Sequence, residues 1–321
     1  MRRLIKRPTR KKDNLFFRRP YHLRAGSYDL VVGSQTRIMG IVNTTPDSFS
    51  GDGCCVLPRN TKEAQARAVA LARKLIKEGA DMIDIGGEST RPGARKISAQ
   101  EEIRRVIPTV QRLAQRVKVP ISVDTYKAAV ARHALDAGAS IINNIMGVKA
   151  EKSLLKMIRN YGAAVILMHI QGTPRTMQKE FSYQNLMAEI CLSLRNAIEN
   201  CLDIGIKSDK IVIDPGIGFG KNVENNLEIL HRLRELVTLN QPVLIGTSRK
   251  SFIGKILNKD IGHRLTGTVA TVCAGIFNGA HIVRVHDVKA VKEAVTMTDA
   301  ILNFTHLHPV ADETSAVKDN P

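Results

Sequence analysis

The sequence predicts an α/β chain, a single-domain (β/α)8 TIM barrel behind a basic N-terminal extension. Three observations carry that prediction. From residue 36 onward, eight short β-branched runs alternate with stretches of helical period. Eight is the strand number at which a parallel sheet closes into a barrel. No G-x-G-x-x-G follows the first run, which weakens the open dinucleotide-binding sheet that the same alternation could build. The 321 residues suit one barrel of ~250 residues with extensions.

The runs are Ile38–Val42, Met82–Ile85, Ile121–Val123, Ile141–Ile142, Ala163–Met168, Ile211–Ile213, Val243–Ile245 and Ile282–Val285. Their unbroken apolar character is that of parallel strands buried on both faces. Between them, Ala68, Leu71, Ala72, Leu75 and Ile76 fall at i, i+3, i+4, i+7 and i+8, one face of a helix. Ile103 to Val117, Ile190 to Cys201 and Val288 to Leu302 repeat the spacing. Pro108 lies in the second of these and predicts a kink or a late start. Gly79, Gly138, Gly162, Gly205 and Gly279 each stand just before a strand, where a left-handed helix cap is expected.

Composition bounds the rest. Hydrophobic residues are 43% and charged residues 24%, as in a globular protein. No apolar run approaches the ~20 residues of a membrane span, and residues 1–24 lack the apolar core of a secretory signal. The cytoplasm is expected. Five cysteines without C-x-x-C spacing read as reduced thiols, with Cys54–Cys55 the one pair open to a redox reading. The formal charge is +18, and half of it falls in residues 1–25, where ten Lys or Arg meet only Asp13. That stretch reads as a flexible, dispensable arm through which alone nucleic acid could bind. The division expected is residues 1–25 as the arm, 26–304 as the barrel and 305–321 as a polar tail.

A barrel places its active site at the C-terminal ends of its strands, so the residues after each run form one ring. Strands one and eight are neighbours there, which brings Asn43, Arg284 and His286 into a cationic and amide cluster suited to phosphate. Asp124, Asn143, Asp214 and Lys250 follow strands three, four, six and seven. Deep carboxylates and an amide suit a ring with several N–H donors on one edge, with Lys250 meeting a carbonyl oxygen. A flat, amide-like heterocycle carrying a phosphate ester fits both halves. The turn Asp214-Pro215-Gly216 and the glycines at 216, 218 and 220 could also serve loop packing alone, and His169 reads equally as a core histidine or a contact.

Several of these segments resemble one family. The stretches 39–50 (Met39-Gly40-Ile41-Val42-Asn43-Thr44-Thr45-Pro46-Asp47-Ser48-Phe49-Ser50) and 84–93, through Gly86-Gly87-Glu88-Ser89-Thr90-Arg91-Pro92-Gly93, are similar to the two signatures of the dihydropteroate synthases. Residues 213–221, Thr247-Ser248-Arg249-Lys250-Ser251 and Arg284-Val285-His286-Asp287 are similarly typical, and the resemblance spans residues 36 to 304. It implies a transferase of folate biosynthesis. Such an enzyme condenses 6-hydroxymethyl-7,8-dihydropterin diphosphate with p-aminobenzoate, assisted by Mg²⁺ and built as a homodimer. Carried over by position, Asp124, Asn143, Asp214, Lys250 and Arg284 would hold the pterin. Asn43, Thr90, Arg284 and His286 would hold the diphosphate, with Asn43 also on the metal. Phe49, Thr90, Arg91, Pro92 and Ser251 would shape the p-aminobenzoate site, and the catalytic group would comprise Asp124, Lys250, Arg284 and His286.

Two departures stand out: Asn144 replaces the Asp usual in the family, and the order Ser50-Gly51-Asp52-Gly53-Cys54 differs from its common Asp-Gly-Gly. The competing readings are a methyltetrahydrofolate methyltransferase-like barrel, which should lack the 248–251 group, and a non-catalytic barrel with a nucleic-acid-binding arm, which should show a degraded ring.

Overall fold

Ahead of the first expected strand the chain makes a hairpin, β1 (Tyr21–Ala25) and β2 (Tyr28–Val32), turning at Gly26 and Ser27. The structure, a computed structural model, describes residues 18–45, 61–89, 96–172, 177 and 182–307, with backbone alone at 61 and 305–307. Gly26 takes φ +59°, the left-handed region a two-residue hairpin turn requires. Along β1 the side chains alternate, His22 and Arg24 outward, Leu23 and Ala25 buried.

Leu23, Ala25 and Val32 pack on Met39, Met82, Ile141, Ala164, Val212, Leu244 and Ile282, which lie toward the N-terminal ends of the barrel strands. The hairpin therefore stoppers the barrel floor. This overturns the expected boundary at residue 25. Arg18 already lies in the folded body, its guanidinium donating to Thr36 Oγ1 (2.6 Å), Ala280 O (2.9 Å) and Asp299 Oδ1 (2.5 Å). Asp299 in turn accepts from the Thr36 backbone N–H (2.7 Å). Residues 1–17 lie outside the described residues.

The eight expected strands follow as β3 (Arg37–Asn43), β4 (Met82–Gly86), β5 (Ile121–Asp124), β6 (Ile141–Asn144), β7 (Ala164–Met168), β8 (Ile211–Asp214), β9 (Leu244–Ile245) and β10 (Ile282–Val285). They form one parallel sheet in the order β8-β7-β6-β5-β4-β3-β10-β9. A single bridge, Ile213 to Val243, joins β8 to β9 and closes the barrel, with Ile213 N–H donating to Pro242 O (3.0 Å). Alternate residues divide between two cores. Met39, Ile141, Val212 and Ile282 point inward to the floor, while Ile38, Ile83, Val123, Ile142, Val165, Ile213 and Val283 pack outward against the helices. Both faces are apolar because both are covered, which explains the unbroken runs.

Around the sheet stand α1 (Thr61–Lys77), α2 (Ala99–Ala114), α3 (Ala128–Asp136), α4 (Lys152–Tyr161), α5 (Leu186–Ile204), α6 (Val223–Arg232), α7 (Ser251–Leu257), α8 (Leu265–Phe277) and α9 (Val288–Leu307). Pro108 does not mark a late start: α2 begins at Ala99, where Ser98 Oγ accepts from Glu101 N–H (3.1 Å), and Pro108 stands in its interior. The caps at Gly162 and Gly205 are left-handed, as expected. Helix α9 runs to Leu307, three residues past the boundary read from composition. Among the described residues no helix is long and apolar enough to cross a membrane.

Candidate active site at the barrel mouth

Parallel register fixes what the mouth displays. Asn43 ends β3 beside Gly86 on β4, Gly86 pairs with Asp124 on β5, and Asp124 pairs with Asn143 on β6. Met168 on β7 pairs with Asp214 on β8. The polar residues after the runs are thus neighbours on one rim, as the sequence predicts. Gly86 keeps the space between two of them open: a Cβ there would lie 3.6 Å from Asn43 Oδ1 and 4.0 Å from Asp124 Oδ2.

The centre of the mouth is one guanidinium between two carboxylates. Arg284 Nε donates to Asp84 Oδ2 (2.6 Å), and its Nη2 donates to Asp124 Oδ2 (3.0 Å). Asn143 Nδ2 also donates to Asp84 Oδ2 (3.1 Å). Asp84 is fully buried, and its Oδ1 has no hydrogen-bond partner among the described residues. Burial pushes the Asp124 carboxyl up to about 7. Arg284 and Lys250 pull it down, and Asp84 and Glu102 push it further up.

On the far side, Asp214 Oδ1 accepts from the Gly216 N–H (2.7 Å), and burial raises its carboxyl to about 6 against the pull of that bond and of Lys250. Gly216 takes φ +72° and lies so close to His169 that an added Cβ would come within 1.9 Å of its carbonyl oxygen. Buried Lys221 ties this loop together, donating to His169 Nδ1 (3.0 Å), Gly216 O (3.0 Å) and Phe219 O (2.9 Å). Burial lowers its ammonium to about 7, opposed by Asp214. Burial and Lys221 hold His169 neutral, so its Nδ1 serves as acceptor. His169 is thus buried and engaged by the loop lysine. Lys250 runs across Gly218 and sets its Nζ 4.0 Å from the centroid of the Phe219 ring.

The strands that carry the expected phosphate cluster, β3 with Asn43 and β10 with Arg284, pair side by side. Arg284 reaches across the mouth to the carboxylates, while His286 Nδ1 lies 3.0 Å from Ser248 Oγ. Charge holds the guanidinium there, between fully buried Asp84 and half-buried Asp124. Arg249, at φ +57°, turns its side chain to Asp287 in a two-point ion pair (2.6 and 3.0 Å). Ser251 opens α7 and is exposed beside Lys250. At Asn144, where the family usually has Asp, Oδ1 accepts from the Met146 N–H (2.9 Å), while the buried Nδ2 has no hydrogen-bond partner among the described residues. Phe49, Thr90, Arg91, Pro92 and the Cys54–Cys55 pair lie outside the described residues.

Sequence reasoning missed Asp84 and Lys221. Asp84 left a signal, a lone acid inside the apolar run Met82-Ile83-Asp84-Ile85. Lys221 stood in a quoted motif, but nothing in its spacing shows that it folds back on His169.

Known proteins resemble this chain in sequence and fold. The family described as Pterin binding enzyme matches residues 39–286. A dihydropteroate synthase of Synechocystis sp. is 44% identical over 270 residues, covering 84% of this chain and 91% of the relative. Two solved structures are similar throughout. One is a dihydropteroate synthase of Clostridium difficile in the presence of pteroic acid, at 43% identity and TM-score 0.76, covering 87% of this chain and 98% of the other. The second, from Xanthomonas albilineans with 4-aminobenzoic acid, is 38% identical with TM-score 0.79, covering 88% and 98%.

Proposed function

The chain belongs to the dihydropteroate synthase family, and on that premise we propose how its barrel mouth works. It is a transferase that condenses 6-hydroxymethyl-7,8-dihydropterin diphosphate with p-aminobenzoate, giving 7,8-dihydropteroate and pyrophosphate. In the reaction the bond from the pterin methylene carbon to the diphosphate oxygen breaks, and a bond to the amine nitrogen forms. The amine gives up one proton. Because an arylamine is neutral at pH 7, no strong base is needed.

The residues divide the work by charge. Asp214 and Asn143 accept hydrogen bonds from N–H groups on the pterin edge, and Lys250 donates to its carbonyl oxygen. As the C–O bond breaks, positive charge spreads from the methylene carbon into the ring. Asp124 in its charged form stabilises it, while Arg284 and His286 stabilise the departing anion. The observation that carries this reading is the gathering of Asp124, Asn143, Asp214, Lys250 and Arg284 on one rim, each from a different strand or strand end.

Magnesium belongs to the same proposal. Among the described residues no cluster of three acidic, His or Cys side chains could hold a metal alone. Mg²⁺ needs no such cage where substrate phosphates supply oxygens and water fills the remaining positions. Asn43 fits that demand, with a hard amide oxygen at the rim facing the open space above Gly86. When bound, the ion would neutralise charge on the diphosphate. Phe49, Thr90, Arg91, Pro92 and Ser251 are proposed for p-aminobenzoate, Thr90 also for the diphosphate, by their places in the family signatures. A homodimer in the cytoplasm is proposed on the same ground.

The test is pyrophosphate release from the pterin diphosphate, with and without p-aminobenzoate. Release that requires p-aminobenzoate and yields dihydropteroate supports the reading; its absence with both substrates and Mg²⁺ present ends it.

A further inference from the structure

We infer that Asp84, a residue outside the ligand-contacting ring, is a positioning residue for the transfer: it tethers Arg284 by Nε and fixes which way the Asn143 amide faces. The inference rests on the function proposed above and concerns how that site is held and emptied.

Three contacts carry it. Asp84 is fully buried in β4, between neighbours on both sides of the sheet, so its carboxylate is a fixed point. Its Oδ2 takes two donors, Arg284 Nε at 2.6 Å and Asn143 Nδ2 at 3.1 Å. A carboxylate accepts only, so it demands the NH₂ side of Asn143 and leaves the amide oxygen for N–H donors in the mouth. A neutral amide at position 84 would accept either orientation. For Arg284 the consequence is different. Held at Nε, the guanidinium pivots about its inner end and cannot follow the leaving anion outward.

The tether also limits affinity. With Asp84 and Asp124 both on one cation, much of the Arg284 charge is spent inside the protein. The pyrophosphate formed therefore meets a weakened cation and can leave. Neutralising Asp84 restores that charge toward the anion and lets Arg284 swing. The other groups around the pair are Glu102 from α2, Asp214 from β8 and Lys250 after β9, and all remain in place in such a variant.

The experiment is Asp84→Asn, with Asp84→Ser as a second variant, in the full chain with Mg²⁺. It reads kcat, KM for the pterin diphosphate and for p-aminobenzoate, and inhibition by inorganic pyrophosphate. The expected result is pyrophosphate bound about tenfold more tightly, since losing one buried ion pair to Arg284 is worth at least that much. KM for the pterin should rise and kcat should fall, while KM for p-aminobenzoate stays put. Pyrophosphate inhibition unchanged or weaker than in the parent overturns the inference, because a merely structural role would loosen every ligand alike. If neither variant folds, the unmodified protein solved with pyrophosphate decides. Arg284 Nε must still contact Asp84 there, and a guanidinium that has left Asp84 overturns the tether. Turnover by the unmodified protein separates this outcome from failure of the functional reading itself.

Discussion

At the scale of single residues, the mouth sets stability against activity. Asp124 is half-buried, and its folded carboxyl near 7 stands above the unfolded value of about 3.9. Between those values the native state binds more protons than the unfolded one, so folding stability falls as pH rises and stays reduced above 7. Asp124→Asn removes that penalty. At pH 8 its thermal midpoint should equal or exceed the parent's, while turnover drops ~10² as the charge facing the pterin cation is lost. A melting curve and a rate on the same sample check both halves; near-normal turnover would take Asp124 out of the mechanism. The same carboxyl should give pterin capture, kcat/KM, an acid limb near pH 7, activity being lost as pH falls through it. Much of this chemistry was legible, because Asn43, Asp124, Asn143, Asp214 and Arg284 each end or interrupt an apolar run, where packing alone would not choose a polar group. Asp84 was passed over because it sits within its run rather than after it, and a one-dimensional pattern does not show that Arg284 reaches back to it across 200 positions of sequence.

Elements show why loops were harder to read than strands. The sheet declares itself because strands covered on both faces must be apolar throughout. The 214–221 loop is built on geometry that composition only hints at. Gly216 allows a positive φ and an approach to the His169 carbonyl that no side chain tolerates, and Lys221 closes the turn with three bonds. Gly216→Ala should therefore cost about 3 kcal/mol or more, read as a lower denaturant midpoint at unchanged slope. Since Asp214 Oδ1 accepts from the Gly216 N–H, pterin affinity should fall with it; a variant of parental stability would show that the loop relaxes freely. The hairpin β1–β2 was missed for a different reason. Its polar residues hold the exposed positions of a two-residue period, His22 and Arg24 out, Leu23 and Ala25 in. A count of charge over residues 1–25 hides that alternation.

Over the whole molecule, the chain is closed at both ends by distant sequence. The hairpin seals the floor, and Arg18 pins it to Asp299 on α9, 281 positions away. Deleting residues 1–17 should leave melting and turnover near the parent's. Deleting 1–32 uncovers the apolar floor and strands the Asp299 carboxylate, a loss of about 3–5 kcal/mol for the ion pair alone. Calorimetry of the two truncations distinguishes an arm from a plug, and equal stability would mean the floor needs no cover. The eightfold alternation made closure legible in the sequence, yet it could not show how unevenly the circle is sewn. Seven strand pairings run for two to five residues, whereas β8 and β9 meet at one bridge. Asp214 stands on one lip of that seam and Lys250 beyond the other. A ring gripped by both would act as a rivet across the weakest stave joint, so ligand binding should slow deuterium uptake most at 211–214 and 243–245. The wall that grips the ligand would then be the wall the ligand completes.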